Sequence, residues 1–150
     1  MSEPRASRPT APDWLGGDDL LPWSWAVERL TEERNYWLVS ARTDGFPQAR
    51  PLWGVWLDDL LYLSVGHAGL QRADEKPGVT IHVDSAVDVV IIEGTVVRVG
   101  RKTAAIRRAG ELYEAKYEYS ADFVNFVGTP RIVYGWRAED VKTATKWTFE

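Results

Sequence analysis

Residues 35–66 constrain the fold more than any other part of the chain. Three runs rich in Tyr, Trp, Val and Leu are separated here by two short turn signals, and these residue types favour a pleated, half-buried surface. The first turn contains Asp44 and Gly45, a strong hairpin signal because glycine takes the positive φ that a tight turn needs. The second turn is Asp58-Asp59. The pattern predicts a three-stranded antiparallel meander over residues 36–42, 48–57 and 60–65.

The composition limits the class of protein. A chain of 150 residues forms one domain with a substantial core. It contains no cysteine, which excludes disulfides and thiolate metal sites and fits a cytoplasmic location. The net charge of -4 gives no basic field for nucleic acid, and no apolar run approaches the ~20 residues that cross a bilayer. We therefore expect a cytoplasmic protein with no nucleic-acid or membrane partner.

Helical and strand-like patterns surround the meander. Residues 1–21 contain several prolines among polar residues and are expected to form a flexible N-terminal arm before a single domain at 22–150. Helices are predicted from Pro22, which suits a first helical position, to about residue 33, and over 70–76 and 102–117. Further strands are predicted over 79–83, 87–99, 131–137 and 145–149, with a connection at 122–130. Gly94 is expected to mark a bulge or a close approach of another backbone.

Many short strands with turn signals and few helices predict a mainly β (α+β) fold. The expected architecture is a six- to seven-stranded antiparallel β-barrel with helical covers.

Three motifs of the chain are distinctive: the strand-Asp-Gly-strand opening with P-x-W-G-V-W at 51–56, E-G-T at 93–95, and T-K-W-T-F at 145–149. Together they resemble the pyridoxamine 5'-phosphate oxidase-like split β-barrel superfamily. The resemblance covers roughly residues 22–150 and is greatest to the actinobacterial flavin and deazaflavin oxidoreductases, many of which use coenzyme F420. It implies a split β-barrel, a homodimer, and a flavin-type cofactor in each of two grooves at the dimer interface.

The resemblance also implies which residues bind the cofactor. In the superfamily, the cofactor phosphate is held by the end of the second strand of the meander and by the turn after the third strand, and the partner subunit contributes from its C-terminal segment. By position, the candidates are Arg50, Pro51, Leu52, Trp53, Gly66, His67, Gln71 and Arg72, with Lys146 and Trp147 from the partner. No catalytic residue is assigned, because a flavin-type cofactor carries the redox chemistry itself. No residue spacing indicates a metal site.

The turn after the third strand departs from the superfamily pattern, in which basic residues cluster. Here Arg72 is followed by Asp74 and Glu75. Phosphate recognition depends on Arg or Lys donors or on clustered backbone N–H groups, and two carboxylates work against an anion. This departure favours a protein that has kept the fold without the cofactor.

Other residues leave alternatives open. Arg50 lies among apolar neighbours and either pairs with a carboxylate or contacts the cofactor phosphate. Trp53 and Trp56 differ by three positions and therefore point to opposite faces of a strand, so that one can line the groove while the other packs inside. The basic residues at 98–108 form a solvated helix face or a surface for a polyanion.

The sequence therefore predicts an F420-dependent, or alternatively FMN-dependent, homodimeric oxidoreductase that transfers hydride to a small organic substrate. A flavin or haem binding module without turnover and a cofactor-free dimer are the alternative functions.

Overall fold

The computed structural model describes residues 2–10, 12, 15–66, 70 and 78–150. Within these residues the chain forms eight strands and two α-helices. The strands are β1 Arg5–Ser7, β2 Tyr36–Ala41, β3 Pro47–Leu57, β4 Leu60–Ser64, β5 Gly78–Val83, β6 Asp88–Arg98, β7 Phe126–Arg137 and β8 Asp140–Thr148. The helices are α1 Trp23–Glu32 and α2 Ala104–Tyr117, and a 3-10 turn, Ala121–Phe123, follows α2.

The predicted meander is confirmed as β2, β3 and β4. Gly45 adopts a φ of 84° in the first turn. In the second turn, Asp58 and Asp59 have φ values of 51° and 60°, because a two-residue hairpin that follows the strand twist needs positive φ at both central positions. Local turn chemistry therefore sets the register of all three strands.

Six strands close into a barrel, and the other two extend it. The ring runs β6-β7-β4-β3-β2-β5 and returns to β6, because β7 pairs with both β4 and β6. β7 pairs with β4 only over residues 126–128 and with β8 from Ile132 onward. β3 pairs with β4 only from Trp53 onward, so that among the described residues its first half, 47–52, pairs with β2 alone. The barrel is therefore split beside the first half of β3.

Two apolar clusters lie on the two sides of the barrel wall. The inner cluster fills the barrel and includes Trp23 and Leu30 of α1, whose spacing is that of one helix face. The outer cluster lies between α2 and the outer face of β3 and β4, around Tyr113. Trp56 belongs to the inner cluster and Trp53 packs against the outer one, as predicted from their spacing.

Gly94 marks a bulge, as the sequence predicted. The register of β6 on β7 shifts between Glu93 and Gly94, and a Cβ at Gly94 would lie 2.1 Å from the backbone oxygen of Thr129. The close approach of two backbones, and not a positive φ, requires glycine here. Pro130 lies opposite Gly94, where a bulge tolerates a residue without an N–H.

The C-terminal strands are longer than predicted. β7 begins at Phe126, inside the expected connection, and β8 spans nine residues instead of a short segment at 145–149. Pro130 obscured the start of β7. In β8, Thr143 and Thr145 are fully buried, and their hydroxyls donate to the backbone oxygens of Asp140 and Thr143. Because polar threonines occupy these buried positions, the sequence of β8 lacks the alternation of apolar and polar residues from which a strand is predicted.

The N-terminal arm contributes a strand. β1 pairs with β8 from Arg5 opposite Thr148 to Ser7 opposite Lys146, and Leu21 donates its N–H to the Thr145 hydroxyl at 2.8 Å. The barrel sheet therefore has one strand more than predicted. The division into an arm at 1–21 and a domain at 22–150 stays a prediction, and the predicted helix at 70–76 lies outside the described residues apart from residue 70.

Neither helix in the described part of the chain is long and apolar enough to span a membrane.

Candidate functional site

The described part of the predicted cofactor site lies where the barrel is split. Residues 50–52 belong to the half of β3 that pairs only with β2, and Trp53 is the first residue that pairs with β4. Gly66 follows β4 and is exposed. Three further residues of the prediction lie outside the described residues: His67, Gln71 and Arg72.

Arg50 occupies an unusual position for a cation. It lies opposite the fully buried Leu38 and, two residues before the inner-cluster Leu52, on the same face of β3. Its Nη2 donates to Gln48 Oε1 at 2.6 Å, whereas its Nε is buried without a hydrogen-bond partner. Burial lowers the pKa of Arg50.

No carboxylate of a described residue forms an ion pair with the Arg50 guanidinium. Of the two alternatives for this residue, the carboxylate pair is therefore not found in the described part of the chain. At least one donor of Arg50 is left for an anion.

Trp53 is held rigidly at the same place. Its ring stacks on the buried Tyr117 at a centroid distance of 4.5 Å and an interplanar angle of 6°. Its Nε1 donates to Asn35 Oδ1 at 3.2 Å, and the ring stays half-buried. A flat aromatic surface with a fixed orientation therefore lies at the split, on the face of β3 opposite to that of Arg50.

The two predicted residues on β8 differ in what they can reach. Trp147 is 0% exposed and packs edge-on against Trp23 at 5.4 Å, so that its ring belongs to the barrel core. Lys146 is partly exposed and lies opposite Tyr134 on the outer face of the sheet. Only Lys146 of this pair offers its side chain to a ligand or a partner.

An outer row of side chains links the two predicted halves of the site. Each residue lies opposite the next in register from β3 to β8, in the order Pro51, Trp37, His82, Ile91, Tyr134, Lys146. None belongs to either apolar cluster. A groove of about 350 Å³ between His82, Ile91 and Trp136 lies on this face. We call this surface the outer sheet face. This face is mostly apolar. Neither described helix packs on it, whereas α2 packs on the outside of β3 and β4.

A polar cluster at the end of α2 supports Trp53 from behind. Lys116 Nζ donates to the backbone oxygen of Gly54 at 2.8 Å and to Tyr36 Oη at 3.1 Å. Tyr117 Oη accepts the Gly54 N–H at 3.0 Å and donates to the backbone oxygen of Arg34 at 2.8 Å. No polar role for Tyr117 or Arg34 was predicted from the sequence. Their polar role follows from where α2 ends against β3, which the sequence does not show.

We expect the pH dependence of folding to report on Lys116. Burial lowers its pKa to about 8, opposed by Glu33 and reinforced by Arg34. An unfolded lysine has a pKa of about 10.4, so between pH 8 and 10 the unfolded chain binds the proton that the native state has lost, and stability rises with pH. Because the side chain is part-exposed, screening reduces the gain below the full ~1.4 kcal/mol per pKa unit.

Urea unfolding at pH 7.5 and 9.5 measures this contribution, with Lys116→Met as the control. The wild type should gain stability relative to Lys116→Met over this interval. Burial raises the pKa values of Tyr36 and, to about 12, Tyr117. These raised pKa values lower the free energy of unfolding only above about pH 10, where tyrosines ionise in the unfolded chain before they ionise in the native state. An equal response of both proteins would contradict the prediction.

No protein-family model and no curated protein matches this sequence; the similarity lies in the fold. A putative pyridoxamine 5'-phosphate oxidase from Listeria innocua is 21% identical, with a TM-score of 0.57 over 75% of this chain and 95% of that one. An FAD-binding protein from Mesorhizobium loti is 17% identical, with a TM-score of 0.61 over 87% and 96%. A haem storage protein from Vibrio cholerae is 11% identical, with a TM-score of 0.55 over 70% and 87%.

At these low sequence identities, the structural similarity establishes the fold alone. The chain has the split β-barrel fold of the pyridoxamine 5'-phosphate oxidase-like proteins, as the sequence predicted. Proteins that share the fold include one described as FAD-binding and one described as storing haem.

Among the described residues, no group of three or more His, Cys, Asp or Glu could hold a metal ion.

Proposed function

We propose that this protein binds a flavin-type cofactor, F420 or alternatively FMN, in a groove between two copies of the chain, and that it acts in the cytoplasm as an oxidoreductase on a small organic substrate. The observation that carries the proposal is Arg50, which lies at the split in the barrel with a buried, unused Nε and no ion-pair partner among the described residues. A guanidinium is suited to phosphate because its donors match two oxygens at once.

The residues of the chain bind and orient, and the cofactor supplies the hydride or electron transfer. Arg50 would hold the phosphate. Trp53 would shape the ring pocket, because Tyr117 and Asn35 fix its orientation. Trp147 takes no part in this proposal, since its ring is fully buried.

A second copy of the chain would complete the groove. The outer sheet face is the outside of a barrel and is therefore convex, so that two copies packed face to face touch in the middle, near Ile91, and diverge on both sides. With the two-fold axis along the strands, the partner's Lys146 comes towards the end of the row at Pro51. Two equal grooves follow from the symmetry, each bordered by the first half of β3 and Trp53 from one copy and by a lysine from the other.

Replacing Arg50 with glutamine should weaken the binding of FMN or F420 about tenfold or more, because a hydrogen bond to a charged group contributes roughly 1.5–3 kcal/mol. The measurement is titration of the purified protein with each cofactor, followed by quenching of tryptophan fluorescence. Arg42→Gln is the matched control, because Arg42 precedes the first turn of the meander and pairs with Asp44 at 3.0 Å.

Binding of neither cofactor by the wild type would overturn the redox proposal. An equal loss in both variants would show that the two cations act only through net charge, and would remove Arg50 from the site.

Haem is the second candidate, favoured by the fold shared with a haem storage protein. Titration with haemin, followed by its Soret absorption, belongs in the same experiment. Haemin binding together with no response to FMN or F420 would replace the oxidoreductase by a haem-binding module.

A further inference from the structure

Three aromatic rings form a strip that leads from the proposed cofactor groove onto the surface. Trp53 lies 5.4 Å from Tyr119, and Tyr119 lies 6.2 Å from Phe123, between ring centroids. Tyr119 is 56% exposed and Phe123 is 52% exposed. We call these three residues the aromatic strip. Contiguous exposed apolar surface on a folded protein commonly marks a binding site.

The aromatic strip is built on rigid support. Trp53 stacks on the buried Tyr117 and donates its Nε1 hydrogen to Asn35. Phe123 ends a 3-10 turn whose N-terminus is capped by the Ser120 hydroxyl, which accepts from the N–H of Asp122 at 3.2 Å. Rings that are ordered before a ligand arrives lose less entropy on binding.

The guanidinium of Arg34 lies beside the strip. The Arg34 guanidinium is 5.5 Å from the ring centroid of Trp53 and 5.2 Å from that of Tyr117. Its Nη1 donates to the backbone oxygen of Lys116 at 3.2 Å, and among the described residues no carboxylate pairs with it.

The carboxylate of the neighbouring Glu33 accepts hydrogen bonds from backbone N–H groups and does not pair with the Arg34 guanidinium. Glu33 accepts from the backbone N–H groups of Arg34 and Asn35 at 3.0 and 3.3 Å. Its second oxygen accepts from the N–H of Asp84 at 3.1 Å. The charge of Arg34 is therefore available to a ligand that lies on the strip.

We propose that the aromatic strip and Arg34 form the substrate subsite of the groove and take planar aromatic carboxylates. Flat rings bind one another by offset or edge-on packing, and a guanidinium binds a carboxylate through two parallel hydrogen bonds. A ligand with both groups satisfies the whole surface. Its assignment as substrate rests on the proposed function, whereas its binding does not.

The chain contains an internal comparison. Phe46 is 65% exposed, and the Arg42 guanidinium lies 5.3 Å from its ring centroid. Here, however, Arg42 pairs with Asp44 at 3.0 Å, and no second aromatic ring packs beside Phe46 among the described residues. A ring and a cation alone do not make such a site.

The test is calorimetric titration with 2-naphthoate and with its neutral counterpart 2-naphthylmethanol, without any cofactor. The wild type should bind 2-naphthoate more tightly than the alcohol. The double variant Tyr119→Ser, Phe123→Ser should weaken both about tenfold, at roughly 0.5–1.5 kcal/mol per aromatic pair. Arg34→Gln should abolish the preference for the carboxylate and leave the alcohol unchanged, and Phe46→Ser should change neither.

The outcomes separate this inference from the proposed function. Binding of 2-naphthoate that depends on the strip supports the subsite even if FMN and F420 fail to bind. Binding of FMN or F420 together with no binding of 2-naphthoate, or with equal binding by all variants, overturns the subsite and leaves the cofactor groove in place. Because Arg34, Tyr119 and Phe123 are exposed, their replacement should leave the circular dichroism spectrum unchanged, which confirms that each variant is folded.

Discussion

Replacing Gly94 with alanine will destabilise the native state by about 3 kcal/mol or more, because overpacking that cannot relax exceeds the usual range of roughly 1–3 kcal/mol. The new Cβ would lie 2.1 Å from the backbone oxygen of Thr129 and 3.1 Å from the Cα of Pro130. Both neighbours are backbone, so no side-chain rotamer relieves the clash. Relief would require β6 and β7 to separate at the bulge that bends the barrel wall.

The matched control is Gly78→Ala, on the neighbouring strand β5. Among the described residues, the nearest neighbour of a Cβ there is the backbone oxygen of Gly94 at 4.0 Å, an ordinary contact. We therefore expect a change in stability within about 0.5 kcal/mol. Urea unfolding of both variants measures the difference. If the Gly94→Ala variant is insoluble while the Gly78→Ala variant is soluble, the prediction is also supported. Equal urea midpoints for the two variants would show that β6 and β7 separate at little cost in free energy.

Replacing Ile91 with arginine should convert the proposed dimer into a folded monomer. Ile91 lies in the middle of the outer row, half-buried and outside both apolar clusters, so the substitution leaves the barrel interior intact. An uncompensated charge in an interface costs roughly 3–5 kcal/mol. Sedimentation velocity should therefore show a dimer for the wild type and a monomer for the variant at the same micromolar concentration.

The control for this experiment is Val87→Arg, because Val87 is 63% exposed and precedes β6. It should remain dimeric. The Ile91→Arg monomer should also bind FMN or F420 more weakly, since each groove loses the partner's Lys146. A wild type that sediments as a monomer, or an Ile91→Arg variant that stays dimeric, would exclude the outer sheet face as the interface.

Elements with local chemical signals were predicted from the sequence. The turns at Asp44-Gly45 and Asp58-Asp59, the helical spacing of Trp23 and Leu30 and the glycine of the bulge each depend on a few neighbouring residues. The first residues of β7 and of β8 were missed, because a proline at a bulge and buried threonines are tolerated only through partners that lie far away in the chain.

The candidate site divides in the same way. The positions of Arg50 and Trp53 followed from the motif that contains them, and the structure adds that Arg50 lies at the split with no described ion-pair partner. The role of Trp147 in the core was not predicted, because its burial depends on Trp23 of α1 and on β8 lying next to β7. Arg34 and Asn35 were not singled out, since only the fold places them beside Trp53.

By itself, the sequence determined the strands of the meander, the helices and the alternation that sends Trp53 and Trp56 to opposite faces, because backbone geometry fixes these over a few residues. Only the tertiary structure decided which side chains remain available. Closure of the barrel buried Trp147 and kept the row through Ile91 outside both apolar clusters. It also left Arg34 and Arg50 without an ion-pair partner among the described residues. Burial and charge pairing depend on contacts between residues that are far apart in the chain. A local sequence pattern contains no information about those contacts.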